Sequence, residues 1–476
     1  MLRIPPRRTI SRLDSSSPEA VVSTKSSRTR LSRAKSIKIS AKQFVTHKKD
    51  LDLHDEYIVG ELLGSGGYGE VYSAVHKRTG AERAVKVVAK QNNSHDNTIR
   101  NEFQILKTLD HPNCLKQFHL FEDAHNFHIV TDYYAGGELF DALQEELRMS
   151  EEDTATLLNH ILSCVNYFHS CGVVHRDLKP ENILLDANHN LEDCKIIDFG
   201  LSAFYDEKKD EPLTEVVGTS YYGSPQVFDG QPYTAKCDVW SCGVLAFLLL
   251  SGYAPFDGNT NKEIIHSVVE GVVQFDDPVW DHISDTAKDF IIYLLSYEEN
   301  TRPTALQALQ HPWLSQQRRD SCFSFKTTSR KSLFATAALE NMEKFDAQSK
   351  LKQATYALLS SQLLSPTEKD EIDKVFRIVD ADCSGKLSRD ELKVAFRDFY
   401  HKNLTDEEID VLFKKVNFSG SGTIEYSEFV VACMMENSIL DERKLRAAFA
   451  EFGKFDHTYI GTKVGHCISL ITDFLV

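Results

Sequence analysis

The stretch VVHRDLKPENILL, residues 173–185, decides how the rest of the chain is read. Two apolar runs bracket a polar centre in which each side chain has a distinct chemical use. Asp177 is placed to accept the proton of an attacking hydroxyl, and Lys179 to neutralise a phosphoryl group in transit. Asn182 offers an amide oxygen to Mg2+. Downstream, KIIDFG (195–200) ends a short apolar strand on Asp198, a carboxylate and the second metal-holding group.

Upstream, YIVGELLGSGGYGEVYSAV (57–75) is a strand-like run around a glycine cluster. Gly64, Gly66 and Gly69 let a hairpin close over phosphates with its backbone N–H groups free to donate. Val71 follows, and RAVKVV (83–88) is an alternating strand that carries Lys86. Glu102, in the helical stretch IRNEFQILKTL (99–109), is its expected partner.

In this order and spacing, residues 57–314 resemble a eukaryotic protein kinase. The resemblance implies an α+β fold of two lobes, a small β-rich one and a larger helical one, with ATP and Mg2+ between them. It makes Thr131 the gatekeeper and Asp132 to Tyr134 the hinge that meets adenine. It also places Glu138, in GGEL, against ribose and against a basic residue upstream of the substrate serine. Lys179, two residues after Asp177, resembles the serine/threonine kinases. DVWSCGV (238–244) and HPWL (311–314) are similar to the family's central-helix and closing motifs.

Two details go beyond the family pattern. Glu215 stands three residues before Gly218, where many kinases carry a phosphothreonine, and is expected to pair with Arg176 without modification. The usual APE motif reads Ser224-Pro225-Gln226. Gln226 accepts a hydrogen bond but does not neutralise its expected partner Arg302, at an expected cost of about 1–3 kcal/mol of local stability.

A different chemistry begins at DADCSGKLSRDE (380–391). Calcium takes about six to eight oxygens, and a twelve-residue loop supplies them from positions 1, 3, 5, 7, 9 and 12. These are Asp380, Asp382, Ser384, the Lys386 carbonyl, Ser388 and Glu391, with Gly385 at the sharp turn. Leu387 suits a short strand against a partner loop, and the flanking residues recur with helical spacing. This is an EF-hand signal. A second loop, NFSGSGTIEYSE (417–428), offers Asn417, Ser419, Ser421, the Thr423 carbonyl, Glu425 and Glu428. With fewer acids it is expected to bind Ca2+ more weakly. In a third copy Gly453, Phe455, His457 and Val464 stand at ligand positions, so no binding is expected there.

The net charge of −16 is unevenly spread: residues 1–49 carry 13 Lys and Arg against Asp14 and Glu19, and the remainder carries −27. That balance excludes nucleic acid as the main partner of the folded part. The basic, Ser-rich start lacks hydrophobic periodicity and reads as a disordered tail with basic phosphosites at Ser11 and Ser36, an organelle transit peptide being the alternative. Its Met-Leu start argues against myristoylation. The ten cysteines include no CxxC pair, as expected of reduced thiols in a cytoplasmic protein. No apolar run is long enough to cross a bilayer.

Residues 315–365 join the two halves. Leu339, Met342 and Phe345, then Leu351, Ala354 and Leu358, recur at helical spacing and make an amphipathic stripe. Kinase, junction and hands in this order resemble the calcium-dependent protein kinases. The resemblance implies an all-α EF-hand domain over 368–476 and a junction that occupies the kinase cleft at rest. Calcium then opens the hands, which take the junction helix. Arg330 or Lys331 would serve as pseudosubstrate. The expected protein is a monomeric, calcium-activated serine/threonine kinase for Arg-x-x-Ser/Thr sites. The damaged third hand leaves a second reading, a kinase with structural hands that works without calcium or through a partner.

Overall fold

The computed structural model describes residues 42, 45–66, 69–209, 211–316, 329–345, 353, 355–358 and 366–434. The start of the basic tail with Ser11 and Ser36, the third hand, Leu351 and Ala354 lie outside them, as do the side chains of Arg330 and Lys331.

The small lobe is a six-stranded sheet in the order β1-β5-β6-β4-β3-β2. Its strands are β1 (Thr46–Lys49), β2 (Tyr57–Gly66), β3 (Gly69–His76), β4 (Glu82–Ala89), β5 (Gln117–Glu122) and β6 (Asn126–Asp132). Antiparallel pairing sets Val71 opposite Lys86 and Ala84 opposite Thr131, so the glycine hairpin, Lys86 and Thr131 are brought together by neighbouring strands. Helix α1 (Asn93–Thr108) starts where the Asn92 side chain accepts from His95 N. It lays Ile99 and Phe103 on one face of the sheet.

β1 corrects the expectation of a disordered tail through residue 49. Thr46–Lys49 pairs parallel with β5, in register from Thr46↔His119 to Lys49↔Glu122. A four-residue strand with a single buried neighbour, Val45, is too short to show periodicity; the open edge of β5 orders it.

The large lobe is built on two buried helices. Helix α2 (Glu151–Ser170) is capped by Ser150. Helix α3 (Lys236–Ser251) is apolar around most of its circumference and almost wholly buried, as suits the centre of a lobe. Trp240 stacks on Phe256 at 5.5 Å, and the closing motif packs Trp313 on Phe290 at 5.0 Å.

The C-terminal region is helical, with α4 (Ser329–Lys344), α5 (Pro366–Val379), α6 (Arg389–Phe399), α7 (Asp406–Val416) and α8 (Tyr426–Cys433). Helices α6 and α7 each open on a reciprocal capping box, Ser388 with Glu391 and Thr405 with Glu408. The two calcium loops, one before α6 and one after α7, pair antiparallel, Leu387 against Ile424, as the apolar eighth loop position led us to expect. Leu339, Met342 and Phe345 of the junction, with Tyr356 and Leu358, share one core with Phe376, Phe396, Phe413 and Phe429.

This helical body sits on the large lobe. Cys383 of the first loop is part of that lobe's apolar core. Asn166 donates to the Cys383 carbonyl at 2.8 Å, and the Lys386 ammonium lies 5.6 Å over the Tyr167 ring. No described helix is long and apolar enough to cross a membrane.

Candidate active site and calcium loops

Asp238, from the first turn of α3, fixes the loop that carries Asp177. Its buried carboxylate accepts from the backbone N–H groups of His175 and Arg176, each at 2.8 Å, and contacts His169 Nε2 at 2.9 Å. Burial pushes this carboxyl up, but the donors outweigh it and hold the group below its ordinary range. Arg176 takes a left-handed φ of +70°, which turns the following Asp177 inward.

Asp177 Oδ1 accepts from the Thr219 hydroxyl at 2.7 Å, and Oδ2 pairs with Lys179 Nζ at 2.9 Å. Lys179 also donates to Thr219 Oγ1 at 2.9 Å. The Asp177 carboxylate, the Lys179 ammonium and the Thr219 hydroxyl thus form one triangle. Asn182 Nδ2 donates to the Asp177 carbonyl at 2.8 Å, which leaves its amide oxygen as the atom for a metal. Asp198 has φ +61° and accepts from Gly200 N–H through Oδ1 at 3.2 Å. One amide oxygen and one carboxylate are hard donors that suit Mg2+, which when bound offsets the charge of ATP's phosphates.

Glu102, on α1, is buried beside Lys86 and Asp198 and accepts from the Phe199 N–H. Burial raises it to about 7 against the pull of Lys86, and the nearby Asp198 charge adds to the rise. Phe199 packs edge-on to His175 at 4.7 Å, so the loops that carry Asp198 and Asp177 brace each other. In the phosphate hairpin, Gly69 has φ +122°, and a Cβ there would stand 2.2 Å from the Val87 carbonyl; only glycine fits.

The activation segment has the expected pair: Arg176 Nη1 meets Glu215 Oε2 at 2.7 Å. Arg176 Nε also donates to the Leu201 carbonyl at 2.6 Å, which ties the segment to the loop that follows Asp198. Thr219 is the residue that sequence reasoning missed. Its signal was slight, a threonine directly after Gly218.

In the first calcium loop, ligand atoms of Asp380, Asp382 and Glu391 lie within 4.8 Å of one another. Burial, with Glu391 and Asp382 close by, pushes Asp380 well above the usual carboxylate range. Three converging acids in a loop of this length fit Ca2+, whose charge relieves their repulsion. Ser384 and the Lys386 carbonyl stand 2.9 Å apart at the same loop, and Ser388 contacts Glu391 at 2.8 Å. In the second loop, Asn417, Ser419, Ser421 and the Thr423 carbonyl are linked by hydrogen bonds, and Glu428 accepts from Ser419 N–H at 2.8 Å. Burial raises Glu428 to about 7. Glu425 points instead to Lys42, 3.3 Å away.

Comparison with known proteins agrees with this geometry. Residues 57–314 match the protein kinase domain, and residues 369–434 match the EF-hand domain pair. The chain is 36% identical over 416 residues to calcium-dependent protein kinase 4 of Plasmodium falciparum, covering 84% of this chain and 77% of that one. It is 36% identical over 422 residues to calcium-dependent protein kinase 11 of Oryza sativa subsp. japonica, covering 87% and 70%. A bilobal serine/threonine kinase that uses ATP and Mg2+ is thus joined to hands built for Ca2+, and the chain belongs to the calcium-dependent protein kinase family.

Proposed function

We propose that this kinase is switched by calcium through its junction and acts on serine or threonine in basic sites. The observation that carries the switch is the burial of Leu339, Met342 and Phe345 in the core of the hands. A stripe held there is withdrawn from the cleft, and at rest the same stripe is free to return to it. Arg330 and Lys331 head the helix that bears the stripe, which fits a pseudosubstrate role.

The substrate preference rests on charge. A groove of about 620 Å³ borders Thr219 and is lined also by Phe140, Glu181, Tyr222, Asp257 and Asp276 among others. Burial raises Glu138 above its usual range, and the like charges of Asp141 and Glu181 add to the rise. An arginine three residues before the target would relieve that crowding.

Phosphate transfer from ATP to an Arg-x-x-Ser peptide, in micromolar calcium and in excess chelator, tests the switch. Signal only with calcium is expected, and an Asp177→Ala chain should give none. Equal signal in both conditions would overturn the switch in favour of structural hands. Equal use of an Ala-x-x-Ser peptide would overturn the basic preference.

A further inference from the structure

The helix that carries Glu102 is held from outside the kinase domain. Val45 is buried among Ile99 and Phe103, the two α1 residues that flank Glu102 on the core side, together with Leu120, Phe127 and Ile129. His47 lies 5.8 Å from the Phe103 ring, and its Nε2 reaches Glu122 Oε2 at 2.7 Å. The other oxygen of Glu122 takes Arg100 of α1 at 2.6 Å and Lys90 at 3.1 Å. One carboxylate at the end of β5 therefore ties β1 to α1. The Asp50 N–H donates to the Glu122 carbonyl at 3.0 Å and closes the far end of the strand.

At its near end the same segment meets the second hand. Lys42 pairs with Glu425, at position 9 of that hand's loop. Two residues on, the Ser427 N–H donates to Asp110 Oδ2 at 3.1 Å, and Asp110 lies just beyond the C-terminus of α1. The second hand thus reaches the surroundings of α1 twice, once at Asp110 just behind its last turn and once at Lys42, whose carbonyl accepts from Val45 N–H.

We propose that Lys42 and residues 45–49, joined by the Val45 N–H donating to the Lys42 carbonyl at 3.4 Å, act as a positioning strap: Val45 and His47 hold α1 so that Glu102 stays beside Lys86, and Lys42 makes that hold depend on the docked second hand. Val45 and His47 touch neither ATP nor peptide; they act through Glu102. The residues matter because α1 must be seated for Lys86 to meet the phosphates, a step that controls kinases of this design. The strap adds a route from calcium to the ATP site that bypasses the junction. It rests on the calcium-switched reading above for its regulatory half alone.

The test uses the full chain with Val45→Ala, Val45→Ile and Lys42→Met, measuring kcat, KM for ATP, KM for peptide and the calcium concentration for half-maximal activity. Val45→Ala should lower kcat/KM for ATP about tenfold with peptide KM unchanged, and Val45→Ile should restore it to within about twofold. Lys42→Met should raise the half-activating calcium about threefold or more while saturating calcium restores kcat. Val45→Ala with unaltered ATP kinetics, or with equal losses for ATP and peptide, would overturn the positioning role. Unchanged calcium dependence in Lys42→Met would overturn the link to the hand. A parent chain equally active with and without calcium would sink the switch and leave the Val45 result to be judged alone.

Discussion

Arg302 donates from Nη2 to Gln226 Oε1 across 2.8 Å, while Nε2 of the same amide donates to the Tyr297 carbonyl at 2.7 Å. Gln226 is therefore a bridge between a guanidinium and a carbonyl, a role its motif position did not announce. Arg302 is 1% exposed and also donates to the Ser296 and Lys236 carbonyls, with its guanidinium 4.9 Å over Trp240. Burial lowers it to about 10, and Glu299, which accepts from Thr234, supplies the nearby negative charge.

Gln226→Ala should therefore cost about 1–3 kcal/mol, because it strips an acceptor from a buried cation. Gln226→Glu should change stability by less than about 1 kcal/mol, since the added charge is offset by a carboxylate facing the Tyr297 carbonyl. Denaturant unfolding of both variants checks the pair. A Glu variant stabilised far beyond that range would show that the glutamine is a plain loss.

Glu215 is 68% exposed, so its pair with Arg176 adds little to folding. Its effect is on position: Arg176 also holds the Leu201 carbonyl, and Tyr233 donates to the Glu215 carbonyl. Glu215→Gln should leave stability within about 0.5 kcal/mol of the parent and lower kcat about three- to tenfold. Phosphatase treatment of the parent should leave its rate unchanged. A phosphatase-sensitive rate would show that a modified residue, and not Glu215, sets the segment.

The parts of the site that lie close together in the chain were legible in advance. Asp177, Lys179 and Asn182 share one loop, and Asp380 to Glu391 share another, so their grouping is readable from their spacing. What escaped reading is what distant segments build. Asn166 and Cys383 are more than two hundred residues apart, and nothing in the calcium loop's pattern marks its fourth position as a contact. Val45 carries no periodic signal, and its burial depends on Ile99 and Phe103. Thr219 gains its meaning from Asp177, which the chain brings to it only on folding.

Gly385 serves two demands at once. It has φ +72°, and a Cβ there would come within 2.5 Å of the Tyr167 ring and 2.7 Å of His111. Its N–H also donates to Asp380 Oδ2 at 2.9 Å. Gly385→Ala should weaken calcium binding at the first loop about tenfold and unseat the loop from the large lobe. Calorimetric calcium titration reads the first effect. Faster amide exchange over residues 160–170 reads the second. Loss of binding with unchanged exchange would separate loop geometry from docking.

The cluster around Glu122 gives the small lobe a pH dependence of known sign. Burial pushes the Glu122 carboxyl up, yet hydrogen bonds from Arg100, Lys90 and His47 outweigh it and bring the group to about 2. A carboxylate depressed on folding contributes stability that is full above its unfolded value, about 4.5, and is lost as pH falls toward the folded value. His47 works in the same direction. Burial lowers it despite the pull of Glu122, with Lys49 and Arg100 adding to the fall. An imidazole depressed on folding is destabilising once pH drops below its unfolded value, about 6.5. Melting temperature should therefore fall from about pH 6.5 downward, and more steeply below about pH 4.5. Glu122→Gln removes the carboxylate's share, so its melting curve should lie below the parent's at pH 7 and approach it near pH 3. Parallel curves for the two proteins across that range would mean that the cluster contributes no pH-dependent stability.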